Sequence, residues 1–76
     1  MKKLDNSVCL SDFGEWIKTA RERKGLSQAE VALGAGIAQS QYSRIESAKR
    51  EVDLITAMAI CRVLGLDLSD FIKTYM

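Results

Sequence analysis

The segment from Leu26 to Glu46 constrains the fold most, because it reads as two short helices joined by a glycine-containing turn. Ser27 can accept a hydrogen bond from the backbone of Glu30. The carboxylate of Glu30 lies at the spacing needed to reach back, so the pair predicts a capping box at the start of the first helix. Gly34 and Gly36 then permit a sharp turn.

The second short helix has a polar face. Ile37 returns the chain to the core, and Tyr42 and Ile45 recur three residues apart as a buried stripe. The remaining surface of this helix carries Gln39, Ser40, Gln41, Ser43 and Arg44. Two helices arranged in this way form a helix-turn-helix, in which the second helix, here called the reading helix, can contact base edges in DNA.

Apolar periodicity predicts a helix before this pair. It runs from about Asp12 to Lys24 and ends at Gly25, with Phe13 and Ile17 on its apolar side. We expect an N-terminal arm over residues 1–11 and a single domain over residues 12–76.

Two further helices are predicted after the pair. Asp53 can cap the fourth helix, which ends at Gly65 and whose predicted buried stripe is Leu54, Ala57, Met58, Cys61 and Leu64. Asp67 can cap the fifth helix, whose apolar side is Leu68, Phe71, Ile72 and Tyr75. The expected fold is therefore all-α, with five helices.

Basic residues are concentrated around the helix pair. The chain has 76 residues and a net charge of +1, which suits one small domain. Between residues 18 and 50, seven basic residues stand against three acidic ones, a local net charge of +4, whereas the rest of the chain carries −3. The bias favours a nucleic-acid partner, with an ordinary solvated surface as the alternative.

Residue types argue against a metal site, a cofactor or catalysis. The chain has no histidine, and Cys9 and Cys61 lack the paired spacing of a zinc site. We expect Cys61 to be a core residue. Without a phosphate loop or paired carboxylates at a plausible cleft, we expect neither an enzyme nor a small-molecule ligand. No apolar run approaches the roughly 20 residues that span a bilayer, so we expect a cytoplasmic protein without a membrane partner.

The span from Leu26 to Glu46 resembles the helix-turn-helix of the phage repressor and Cro-type family, also called the xenobiotic-response-element family. The resemblance rests on the Ser-Gln pair, the Ala-Gly turn, the Arg-Ile-Glu ending and the later Leu-Gly-Leu-x-Leu-Ser junction, and it covers roughly residues 12–72. It implies a compact lambda-repressor-like domain that binds double-stranded DNA and regulates transcription. It also implies that Gln28 contacts a phosphate and supports the reading helix, and that Arg21 and Glu46 form an ion pair that orients this helix.

Side-chain chemistry divides the exposed residues of the reading helix. Gln39 can offer adenine a paired donor and acceptor, and Arg44 can bind a guanine edge or a phosphate. Ser40 and Gln41 can contact a base, a phosphate or neither. Candidate phosphate contacts at the end of the helix and in the next loop are Ser43, Lys49 and Arg50, with solvation as the alternative.

Two positions depart from the family pattern. Ala38 stands where Ser or Thr often caps the reading helix, a loss of about 1 kcal/mol. The loop from Lys49 to Asp53 lacks the proline that is frequent in the family, and in this it resembles the controller proteins of restriction-modification systems. Prophage repressors and antitoxins share this trait, so the sequence does not choose among the three.

The fourth helix has more apolar residues than its predicted core stripe requires. The surplus consists of Ile55, Ala59, Ile60 and Val63. Surplus apolar area indicates a partner. In the resembled family the last helices form a two-fold dimer, which places two reading helices about 34 Å apart on a near-palindromic operator, and Tyr75 can join that interface. The alternative is an antitoxin-like module whose main partner is another protein.

Overall fold

A computed structural model describes the backbone of residues 6–75 and the side chains of residues 12–73. Over residues 6–75 the chain forms helices and no strand. The helices are α1 (Asn6–Lys24), α2 (Gln28–Ala35), α3 (Gln39–Glu46), α4 (Leu54–Leu64) and α5 (Leu68–Tyr75). The predicted all-α architecture of five helices is confirmed. Within the described part, no helix is long and apolar enough to cross a membrane.

The first helix starts earlier than the sequence predicts. It begins at Asn6, six residues before Asp12, so the second half of the segment expected to be an arm is helical. Residues 6–11 contain neither glycine nor proline, and nothing in them ends a helix. Residues 1–5 and the side chain of Cys9 lie outside what the structure describes.

The core gathers buried side chains from all five helices. Its members are Phe13, Ile17, Val31, Ala32, Tyr42, Ile45, Ala57, Ile60, Cys61, Leu64 and Phe71. Cys61 is a buried free thiol, as predicted, and burial raises its pKa. Phe71 of α5 meets Phe13 edge to face, with ring centroids 5.4 Å apart, and this contact attaches the last helix to the first.

The buried face of α4 differs from the predicted one. Leu54 and Met58, expected in the core, are 65% and 54% exposed, whereas Ile60 is 0% exposed. The prediction that Ile60 belongs to a dimer interface is therefore wrong, because a fully buried side chain offers no surface to a partner. The helix is apolar on nearly every side, so a periodic pattern fits it in more than one rotation.

The two glycines near the end of α2 have different roles. Gly36 has a φ of 74° and ends the helix in the left-handed conformation, as the turn requires. Gly34 lies inside the helix, where an added Cβ would come within 3.0 Å of a methyl carbon of Val63. Gly34 therefore permits close packing of α2 on α4 rather than the turn itself.

Candidate nucleic-acid interface

The first helix of the motif, α2, is capped at both ends by its own sequence. The backbone N–H of Glu30 donates to Ser27 Oγ at 3.0 Å, and the backbone N–H of Ser27 donates to Glu30 Oε1 at 2.7 Å. The predicted capping box is confirmed. At the other end the N–H of Gly36 donates to the carbonyls of Ala32 and Leu33.

The reading helix, α3, begins without a side-chain cap. Ala38 occupies the N-cap position in an extended conformation and makes no side-chain cap hydrogen bond. The first backbone bond of the helix runs from Tyr42 N–H to the carbonyl of Ala38 at 3.0 Å. The N–H groups of the first turn are therefore without a side-chain cap acceptor at this end of α3.

The sides of α3 have distinct environments. Tyr42, Ile45 and Glu46 are buried against the rest of the domain. Ser40 and Arg44, one turn apart on the opposite side, are exposed. The helix therefore presents a polar face to solvent.

The predicted site residues are exposed to different degrees. Those that are exposed are Gln39, Ser40, Arg44, Lys49 and Arg50. Those that are half-buried are Gln28, Gln41 and Ser43. Gln41 lies on the side of α3 next to α4, where it lines a cleft of about 460 Å³ together with Arg50 and Thr56. The exposed members form the tip and outer side of α3 and the loop that follows it.

A partly buried polar cluster holds the C-terminal end of α3. We call Arg21, Gln28, Tyr42 and Glu46 the anchor cluster. Arg21 Nε donates to Glu46 Oε2 at 2.6 Å, and a second guanidinium nitrogen of Arg21 donates to Glu46 Oε1 at 3.2 Å. Arg21 also donates to the carbonyl of Leu26 at 2.9 Å. The two residues that the sequence pairs are joined by this two-pronged contact, which links α1 to the end of α3.

Gln28 belongs to the same cluster. Its side-chain Nε2 donates to Glu46 Oε1 at 3.0 Å, which connects the first residue of α2 to the last residue of α3. The family resemblance implies that Gln28 contacts a phosphate and supports the reading helix, but it does not identify Glu46, 18 positions further along the chain, as the partner.

The anchor cluster keeps Glu46 ionised. Burial opposes the charged form, but the hydrogen bonds from Arg21 and Gln28 outweigh it and hold the pKa of Glu46 below its usual value. The same pairing raises the pKa of Arg21. The pair is therefore charged at neutral pH.

Tyr42 completes the cluster without a hydrogen bond of its own. Its side chain is 0% exposed, and its hydroxyl has no partner among the described residues. Burial raises the pKa of this phenol, and the nearby carboxylate of Glu46 raises it further. The hydroxyl is therefore close enough to Glu46 for the carboxylate charge to affect its pKa, but it does not form a hydrogen bond with it.

Gly14 allows α1 to approach the end of α3 directly. A Cβ at this position would lie 2.7 Å from the carbonyl oxygen of Ile45 and closer still to that of Glu46. A glycine in the middle of a helix costs about 1 kcal/mol relative to alanine, so its presence in α1 fits this close packing. The sequence signal of this contact is a glycine inside an otherwise helical pattern.

The loop after α3 starts with an unusual conformation. Ala48 has a φ of 61°, in the left-handed region that favours glycine. The Ser47 hydroxyl donates to the carbonyl of Ser43 at 3.1 Å, and the Lys49 N–H donates to the carbonyl of Arg44 at 2.8 Å. These bonds direct the chain toward Lys49 and Arg50, next to the exposed face of α3.

A family model confirms the motif that the geometry indicates. The model described as helix-turn-helix matches residues 17–71, which include α2, α3 and α4. The chain belongs to this helix-turn-helix family. Its members are DNA-binding transcriptional regulators of the Cro and C1 type. The resemblance seen in the sequence is therefore confirmed, and the family is one of regulators rather than enzymes.

Two curated relatives come from Bacillus subtilis strain 168. One is the uncharacterized HTH-type transcriptional regulator YqaF, 36% identical over 59 residues that cover 78% of each chain. The other is the SPbeta prophage-derived uncharacterized HTH-type transcriptional regulator YonR, 38% identical over 60 residues. The match covers 79% of this chain but only 55% of YonR.

A solved structure shares the fold, and the match covers more of that protein than of either Bacillus relative. The restriction-modification controller protein C.AhdI from Aeromonas hydrophila superposes with a TM-score of 0.77 at 28% identity, over 80% of this chain and 92% of its own. The helix-turn-helix regulator described here is thus similar to both a prophage-derived regulator and a restriction-modification controller.

Proposed function

We propose that this helix-turn-helix regulator is a homodimer that recognises a near-palindromic DNA operator with α3. The observation that carries the proposal is the contrast between the two sides of α3. Its buried side is fixed by the anchor cluster, whereas Ser40 and Arg44 project from the opposite side into solvent. A helix held in this way can enter the major groove with its outer side chains facing the bases.

Base recognition is assigned to the outer side and tip of α3. Arg44 can bind a guanine edge through two parallel donors, and Gln39 can pair with adenine, each with roughly 1–3 kcal/mol of discrimination. Ser40 lies one turn before Arg44 and extends the same surface. Gln41 is turned toward the cleft beside α4, which favours a contact at the edge of the interface.

Phosphate contacts are assigned to the margins of that surface. The four candidates are Gln28, Ser43, Lys49 and Arg50. Lys49 and Arg50 are exposed in the loop directly after α3, and Gln28 is half-exposed at the start of α2. Neutralising phosphates releases counterions, so affinity should fall as salt rises.

The dimer interface is assigned to the exposed apolar face of α4 and α5. We define this face by Leu54, Ile55 and Met58 of α4 and Ile72 of α5, which are 49–78% exposed. Leu68, one turn before Ile72, lines a groove with Met58, so the two helices present adjoining apolar surface. Covering such a patch favours association.

The remaining residues of the predicted interface fit this face unequally. Ala59 is half-buried next to Met58 and can border the interface. Val63 is half-buried and packs on α2 at Gly34, so it contributes at the margin. The side chain of Tyr75 lies outside the described residues.

Selection of bound sequences from a random duplex library tests the operator proposal. We expect a near-palindromic motif whose preferences relax at different positions for Gln39→Ala and Arg44→Ala. Arg23→Ala, at an exposed arginine of α1, removes the same charge as Arg44→Ala and should leave the motif unchanged. If no motif is recovered although a dimer is present, the operator proposal is wrong and a protein partner becomes the better explanation of the apolar face.

Ile55→Glu tests the dimer face. We expect a folded monomer in sedimentation equilibrium and loss of binding to a two-half-site duplex, because a charge would be buried at the interface. Leu33→Glu is the matched control, since Leu33 is 83% exposed on α2, a helix that contributes no residue to the proposed interface. A dimer that persists in Ile55→Glu would place the interface elsewhere.

A further inference from the structure

The hydroxyl of Tyr42 presents an unexplained cost in the core. It is fully buried and has no hydrogen-bond partner in the described part of the chain. An unpaired buried hydroxyl is unfavourable, and a phenylalanine would fill the same space without it. The hydroxyl therefore has a use only if its neighbours can adopt a second arrangement in which it donates a hydrogen bond.

Glu46 is the neighbour that can use this hydroxyl. In the structure its Oε1 accepts from Gln28 at 3.0 Å and from Arg21 at 3.2 Å, and its Oε2 accepts from Arg21 at 2.6 Å. Tyr42 precedes Glu46 by one helical turn, so the two side chains share a face of α3. If the donor from Gln28 left, the hydroxyl of Tyr42 could replace it after a small movement.

Gln28 is the member of the cluster that has reason to leave. It is half-exposed at the first position of α2, whereas Tyr42 and Glu46 are buried. The proposed function assigns its amide to a DNA phosphate. An amide donor drawn toward a phosphate would leave the carboxylate of Glu46 short of one hydrogen bond, which is costly in a buried site.

We propose that Tyr42 is a positioning residue whose hydroxyl takes the place of Gln28 as a donor to Glu46 when DNA engages Gln28. This inference rests on the proposed function for the phosphate contact. The exchange keeps the carboxylate supplied with donors in both states. It thereby keeps the end of α3 fixed to α1 through Arg21 while α2 contacts the DNA backbone.

A double-mutant cycle in the free protein tests the exchange without DNA. In the unaltered background, Tyr42→Phe should leave the folding equilibrium constant unchanged or raise it, because the hydroxyl is unpaired. In a Gln28→Ala background the hydroxyl should already serve Glu46, and Tyr42→Phe should lower that constant about two- to tenfold. Gln39→Ala, which removes an exposed glutamine from the same helix as Tyr42, is the matched control and should behave as the unaltered background does.

Affinity for the selected duplex forms the second arm of the experiment. Tyr42→Phe should weaken binding about two- to tenfold when Gln28 is present and should not weaken it further when Gln28 is alanine. Equal effects of Tyr42→Phe on folding in the unaltered and Gln28→Ala backgrounds would overturn the exchange. Failure of the unaltered protein to bind any selected duplex would instead overturn the proposed function, and the folding cycle would still decide whether the hydroxyl can replace Gln28.

Discussion

Helices α2 and α3 are neighbours of equal length, eight residues each, yet they are stabilised in different ways. The ends of α2 are satisfied locally, by Ser27 at one end and Gly36 at the other. The C-terminal end of α3 is also closed locally, by the Ser47 hydroxyl and the Lys49 N–H, but its N-terminal end is not, because Ala38 offers no cap. Local sequence thus supports the start of α2 but not the start of α3.

The difference teaches how a contact helix can be held without covering its contact face. The strong attachments of α3 begin at its fourth residue, Tyr42, which enters the core with Ile45, and end at Glu46, which enters the anchor cluster. Gly14 brings α1 against the same end. The first two residues, Gln39 and Ser40, remain exposed and free for DNA.

The largest effect is expected from Glu46→Gln, which removes the charge but keeps the shape. Arg21 would lose its ion pair in a mostly buried site, and we expect a loss of about 3 kcal/mol in the free energy of unfolding. Urea denaturation at neutral pH measures this. A loss below about 1 kcal/mol would mean that tertiary contacts other than the anchor cluster hold α3.

The same variant should alter the pH dependence of stability. The pKa of Glu46 is lowered in the folded state, so its contribution is fully present above the ordinary glutamate pKa of about 4.3 and is lost as pH falls through the lowered value. The stability difference between the unaltered protein and Glu46→Gln should therefore shrink as pH drops below about 4. A difference that stays constant down to pH 2 would contradict this account.

Gly14→Ala should have the next largest effect. The added methyl group would overlap the last carbonyls of α3, at a cost of about 3 kcal/mol, and the better helix propensity of alanine would return about 1 kcal/mol. We expect a net loss of about 2 kcal/mol by thermal or urea unfolding. Gly14→Ala that is as stable as the unaltered protein would show that α1 does not constrain α3 at this point.

Removing the N-cap of α2 and giving one to α3 should have opposite effects on stability. Ser27→Ala should cost about 1 kcal/mol because α2 loses its N-cap, whereas Ala38→Ser should gain about 0.5–1 kcal/mol by giving α3 one. Urea denaturation of both variants measures the pair. If Ala38→Ser is neutral while Ser27→Ala is destabilising, the missing N-cap does not weaken α3.

The smallest effect is expected from Ala48→Gly. Glycine adopts a φ of 61° without strain but is more flexible in the unfolded chain, so we expect a gain of about 0.5 kcal/mol. A change in the melting temperature detects it. A destabilised Ala48→Gly would indicate that the conformation at Ala48 is not strained.

Features encoded within a few residues were predictable from the sequence. The capping box at Ser27, the cap at Asp53 and the turn at Gly36 depend only on local spacing, and each is present. The pairing of Arg21 with Glu46 came from family resemblance, not from a local pattern.

Features that depend on packing between distant segments were not predictable. The rotation of α4 about its axis could not be predicted, because the apolar pattern of this helix fits several rotations. The pattern therefore placed Ile60 on the surface and Leu54 in the core, the reverse of the structure. The bond from Gln28 to Glu46 and the approach of Gly14 to α3 join residues far apart in the chain. Their geometry exists only once the helices have packed.

Native-state hydrogen exchange of the unaltered protein and Glu46→Gln tests most directly whether the anchor cluster holds α3. In Glu46→Gln, we predict that amides from Tyr42 to Glu46 lose more protection than amides of α2 such as Val31, whose helix keeps its own caps. An equal loss across α2 and α3 would contradict the account, because it would show that Glu46 supports the whole domain rather than the reading helix.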